Sequence, residues 1–122
     1  MSAKRSYGLY LSDMLRAIDG IERYTEGISF EEFVKDWKTI DAVIWNIAVI
    51  GEASKRTSKP LRQKYKALPW ADMAKMRDKI SHAYFGINHE IVWNVIKERL
   101  PTIKPTLQIM LEELAVDSLF KE

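Results

Sequence analysis

What limits the fold of this chain most is the period of its apolar residues, which return every three or four positions and nowhere settle into strict alternation. A face repeated every 3.6 residues is one side of a helix, whereas a face repeated every two is one side of a strand. Over residues 6–25, Tyr7, Leu11, Met14, Ile18 and Ile21 share a helical face, with Ser12, Asp13, Arg16, Asp19, Glu22 and Arg23 opposite. Gly27 stands where that helix should stop. Ser29-Phe30-Glu31-Glu32 has the spacing of a capping box, in which a hydroxyl and a carboxylate three residues apart satisfy two free N–H groups. From there Phe33, Trp37, Ile40, Ile44, Ile47 and Gly51 form a seam, widened by Val43 and Ile50, that reads to about residue 57 with a break near Trp37. Ala48 and Gly51 are small enough to admit a second helix at close range. Glu52, at the edge of this face, is out of place: it is either an orienting group for a nearby cation or a partly exposed carboxylate.

The second half reads the same way. Ser58-Lys59-Pro60 opens a short helix through about Tyr65, and Leu68-Pro69 breaks the chain. Trp70 begins a further helix with Met73, Met76, Arg77 and Ile80 on or near one face, and Gly86 is placed to end it. Asn88 can cap the next helix, whose buried set reads as Ile91, Val92, Val95 and Ile96. Pro101 and Pro105 are expected to end that helix and open the last one, built on Ile103, Leu107, Met110, Leu111 and Leu114. There is no Asn-Gly hairpin signal and no internal repeat. The expected fold class is all-α: an up-and-down bundle of four longer helices, four to five in all with short ones added. A chain of 122 residues, 47% of them hydrophobic, has room for one core, so residues 1–122 are read as a single domain. The four Trp are read as core or interface.

Composition removes several chemistries. Without cysteine there is no disulfide framework, thiolate metal site or cysteine nucleophile. The N-terminus runs into an amphipathic pattern instead of a signal region, and no apolar run nears the ~20 residues of a bilayer span. A soluble, cytoplasmic protein with no membrane contact is expected. No Gly-rich phosphate loop or Gly-x-Ser-x-Gly elbow is present, and no helix-turn-helix signature stands out. His82 and His89, separated by Gly86, make a poor metal pair, so no metal or other cofactor is expected. The net charge of +2 hides an asymmetry. Residues 53–79 carry nine cations against Asp72 and Asp78, or +7, while the remainder carries ten against fifteen, or −5. Such a segment suits RNA or an acidic protein, although a solvated basic helix pair has the same composition.

Inside that segment begins the densest chemistry of the chain, Arg77-Asp78-Lys79-Ile80-Ser81-His82-Ala83-Tyr84. Arg77-x4-His82-x-Tyr84 resembles the signature of HEPN domains, and specifically of the HepT-like family. The likeness extends to Tyr24-Thr25-Glu26-Gly27, Asn46, Ile50-Gly51-Glu52-Ala53, Lys55-Arg56, Pro69-Trp70, Tyr84-Phe85-Gly86 and Glu90-Ile91-Val92-Trp93, covering essentially residues 7–114. The resemblance implies a HEPN helical bundle that forms a homodimer. It implies the metal-independent ribonuclease toxin of a type II toxin–antitoxin pair, with Arg77 and His82 catalytic. It also implies an MNT-type nucleotidyltransferase antitoxin that silences the toxin by transferring AMP to Tyr84. Two positions depart from the family: Asn88 stands where an acid is often found, and Ala83 where relatives are often polar.

The residues suit the implied reaction. Attack of a ribose 2′-OH on its phosphate needs a base, an acid and positive charge for the phosphorane, and a 2′-OH confines the chemistry to RNA. Histidine titrates near neutrality and arginine offers a permanent forked donor. One chain supplies one motif histidine, and residues five apart stand about 140° around a helix, so either the helix end distorts before Gly86 or a twofold dimer completes the site across its interface. Were the helix to run to about residue 85, His82 would lie in its last turn, where the dipole favours the protonated ring. Lys55, Arg56 and Lys79 are candidate RNA-backbone contacts, with Lys59, Arg62, Lys64 and Lys66 behind them; Ser81 and Asp78 are lesser candidates. Two other functions fit the same residues. One is a non-catalytic HEPN subunit presenting nucleotide or substrate to a nucleotidyltransferase. The other is a structural dimer whose basic face docks an acidic protein.

Overall fold

The computed structural model describes residues 3–83 and 88–120. Every regular element among them is helical: α1 (Ala3–Thr25), α2 (Phe30–Lys35), α3 (Trp37–Arg56), α4 (Lys59–Lys64), α5 (Trp70–Ala83), α6 (His89–Asn94) and α7 (Leu100–Phe120), with a five-residue π-helical turn, Val95–Arg99, joining α6 to α7. The all-α bundle expected from the apolar period is what forms. Four long elements, α1, α3, α5 and the α6–α7 run, carry two short helices between them.

Local chemistry sets the joints. Gly27 takes φ +74° just beyond α1, a conformation that L side chains avoid. The Ser29 hydroxyl accepts from the Glu32 amide and the Glu32 carboxylate accepts from the Ser29 amide, so the capping box forms in full at α2. The break near Trp37 is made by Asp36, which ends α2 and caps α3. The Thr39 hydroxyl and amide both bond the Asp36 carboxylate and hold its pKa below the usual range. Ser58 caps α4, and Asn88 accepts from the Glu90 and Ile91 amides at α6.

The core lies where the seams meet. Leu11, Met14, Ile18 and Ile21 of α1 are fully buried against Ile40, Val43, Ile47 and Ile50 of α3; the side chain of Tyr7 lies outside the described residues. Gly20 lies beside Asn46 and Met14 beside Ser54, so α1 and α3 run antiparallel. Met73, Met76 and Ile80 of α5 close the core from the other side of α3, and Ile103, Leu107 and Met110 of α7 close it behind α1. Lys104 of α7 ties the last pair, 2.9 Å from Asp19 and 3.0 Å from Glu22.

Three expectations need correction. Pro101 and Pro105 do not separate two helices. The π turn sends the Leu100 N–H to the Val95 carbonyl, so the chain passes Pro101 without stopping. The Thr102 hydroxyl caps the Arg99 carbonyl at 2.7 Å. Ile91 is not core: it lines an open groove of about 640 Å³ with Met76, Ile80, Asn88 and Val95. Trp37 leaves the seam too, being 65% exposed because Asp36 turns the chain there.

The α3–α5 contact depends on Gly51. A Cβ at this position would sit 2.9 Å from the Arg77 Cβ and 3.3 Å from the Met73 carbonyl oxygen. Gly8, within α1, has nothing within 4 Å of the same imagined atom. Gly51→Ala should therefore lower stability by about 1 kcal/mol, an overpacking cost of about 1–3 kcal/mol outweighing a helix-propensity gain of about 1 kcal/mol. Gly8→Ala should raise it by about 0.5–1 kcal/mol. Urea unfolding of the two variants should give opposite signs.

Candidate active site

Arg77 rises from the face of α5 that meets α3, because Gly51 lets the two backbones close on its Cβ. Its side chain then reaches along α3, and Nη1 donates to Glu52 Oε2 at 2.7 Å. The other oxygen of that carboxylate accepts from Arg56 Nε at 3.1 Å. One acid thus binds two guanidiniums, one from each helix. The Tyr10 hydroxyl of α1, followed by the Glu52 carboxylate, pushes the pKa of Arg56 up, since both favour the charged form. Lys55 turns elsewhere, with Nζ 3.8 Å from Asp78 Oδ1. All these groups are about half exposed, so the pairs leave N–H donors facing solvent.

The fold brings Arg77 of α5 together with Lys55 and Arg56, neighbours at the end of α3, on one α3–α5 surface. Tyr84 lies outside the described residues, as do the side chains of His82, Ser81 and Lys79. The backbone fixes one relation nonetheless. Helix α5 continues through Ala83, so His82 occupies its last turn and stands about 140° around the axis from Arg77. No distortion up to Ala83 shortens that separation. Among the described residues no group of three or more His, Asp or Glu is placed to hold a metal ion. None of their helices is long and apolar enough to cross a membrane.

Sequence reasoning named Glu52 as odd but did not find its two partners. Tyr10 carried no motif, and only the antiparallel α1–α3 register reveals that it faces Arg56. Trp45 is the larger surprise. It is 71% exposed on the outer ridge of α3, where Trp45, Val49, Glu52 and Arg56 succeed one another at four, three and four residues. Trp70 and Trp93 are inner residues: the first donates from Nε1 to the Tyr65 carbonyl, the second packs on Phe30 and Phe33. Trp37 and Trp45 are not core.

Comparison with known proteins places the chain. The family described as "Ribonuclease HepT-like" matches residues 14–110. A protein of Thermococcus cleftensis named "Probable ribonuclease HepT" is 45% identical over 101 residues, covering 83% of this chain and 92% of its own. A protein of Methanocaldococcus jannaschii bearing a "Putative RNase" name is 42% identical over 98 residues, covering 80% and 81%. One of Caldanaerobacter subterraneus, named in the same way, is 36% identical over 104 residues, covering 85% and 93%. No solved structure is a significant match. An all-helical bundle, an Arg77-x4-His82-x-Tyr84 motif on and beyond α5, and relatives matched over most of their length lead to one conclusion: the chain belongs to the HepT-like ribonuclease family.

Proposed function

We propose that this chain is an endoribonuclease and the toxin of a type II toxin–antitoxin pair, cleaving RNA without a metal ion at a site that two copies complete. The observation that carries the reading is the intact Arg77-x4-His82-x-Tyr84 motif in a chain of this family, with Arg77 anchored at the α5 surface by Glu52. The names of the relatives as ribonucleases support the substrate class. Arg77 would hold a phosphate oxygen and offset charge developing on the phosphorane. His82 would move the proton, and its place in the last turn of α5 favours the protonated ring, that is, the acid role. Arg77 and His82 thus supply the charge and the leaving-group proton, and the base that the 2′-OH also demands would be His82 of the partner subunit.

The second copy follows from the 140° between them. A twofold axis beside the site would set His82 of one subunit near Arg77 of the other. The exposed Trp45, with half-buried Val49 beside it, supports this reading, because a partner seated there would cover the tryptophan and lie directly before Glu52 and Arg56. The regulatory partner would be an MNT-type nucleotidyltransferase that transfers AMP to Tyr84. Bulk and negative charge would then stand two residues from His82, where an RNA phosphate would otherwise approach.

Purified protein should cleave a single-stranded RNA, and His82→Ala and Arg77→Ala should each lower the rate by about 10²–10⁴-fold while melting like the parent. Cleavage unchanged in both would defeat the catalytic assignment. Sedimentation should report a dimer that Trp45→Glu splits into monomers; a variant that stays dimeric would move the interface elsewhere. Co-expression with the nucleotidyltransferase should add the mass of AMP to the parent chain and not to Tyr84→Phe.

A further inference from the structure

Two arginines on one carboxylate form an arrangement that the fold does not require. The three side chains are 42–58% exposed, and ion pairs in that setting contribute about 0–1 kcal/mol. The α3–α5 contact is already secured by Met73, Met76 and Ile80 in the core and by the close approach at Gly51. Two guanidiniums drawn to a single carboxylate would ordinarily repel, and Glu52 offsets only one of their two charges. The cluster therefore keeps a net charge of +1 and a set of unused N–H donors turned to solvent. One phosphodiester carries the single negative charge that would neutralise it.

We propose that Glu52 is a positioning residue that yokes Arg56 and Arg77 into a clamp for a single phosphate of the RNA backbone. The inference deepens the reading above and rests on Arg77 as a ligand of substrate phosphate. Each oxygen of Glu52 takes one arginine, so the two forks are held side by side and need no search for a common target. Both stand on helices, and Gly51 sets their separation by fixing how near the helices come. Lys55 is left out of the clamp, since Asp78 draws it away. Arg56 therefore becomes a specific substrate contact, and Lys55 remains part of the general basic surface.

Two measurements on the full chain test this. The first is the salt dependence of binding to a 2′-O-methyl RNA oligonucleotide, which the proposed reaction cannot cleave. If Arg56 and Arg77 share one phosphate, the Arg56→Ala/Arg77→Ala double variant should lose about 0.7 in all from the slope of log K against log salt, whereas separate phosphates would cost about 1.4. The second is steady-state cleavage of the unmodified RNA. Glu52→Gln should lower kcat by about 10²-fold with melting unchanged and KM no higher, because removing an acid leaves the surface more cationic. Glu52→Asp should recover part of the rate, and Glu52→Gln should cost nothing more when Arg77 is already alanine. A kcat that survives Glu52→Gln, or a slope loss of about 1.4, overturns the clamp. A parent that binds with the expected slopes but does not cleave overturns the catalytic reading and leaves the clamp standing, whereas an Arg77→Ala variant that cleaves normally overturns both.

Discussion

The close approach of α3 and α5 at Gly51 is the contact on which the rest of the site depends. Where a side chain would normally hold two helices apart, the missing Cβ lets the Arg77 Cβ and the Met73 carbonyl settle against the backbone. Everything beyond follows from that distance. Glu52 is the next residue along α3, so its carboxylate is delivered to the Arg77 guanidinium, and Arg56, one turn on, reaches the same carboxylate.

The charge of this region differs between the linear chain and the folded one. Counted along residues 53–79, nine cations face two acids. That window begins one residue after Glu52, the acid that binds two of the nine, and Asp78 accounts for Lys55. The basic surface is real but partly ordered: some of its cations are held in place by carboxylates while keeping donors free, which is a different property from a diffuse positive field. A diffuse field attracts a polyanion; aligned donors fix where one of its phosphates rests.

Much of the fold was legible because local rules decide it. The capping box at Ser29, the glycine stop at Gly27 and the caps at Ser58 and Asn88 form as their spacing indicates, since each is settled by atoms within a few residues. The misreadings are of another kind. Pro101 was expected to end a helix, but a π turn just before it rearranges the hydrogen bonds, and no residue pattern announces such a turn. Ile91 has the right period for burial and still borders an open groove, because period gives the face of a helix and not what lies across from it. Trp37 and Trp45 were core or interface by composition, and only their exposure removes the first option.

The sequence alone determined the helical period, the places where helices begin, and the motif that marks the family, all of which depend on neighbours within one or two turns. It also determined that Arg77 and His82 lie on different sides of one helix, given only that the helix continues between them. The tertiary structure decided which acid holds Arg77, that Arg56 shares it while Lys55 does not, and that Trp45 stands outside. Those outcomes depend on how closely α3 and α5 approach and on the register of α1 against α3, distances set by packing between segments tens of residues apart in the chain.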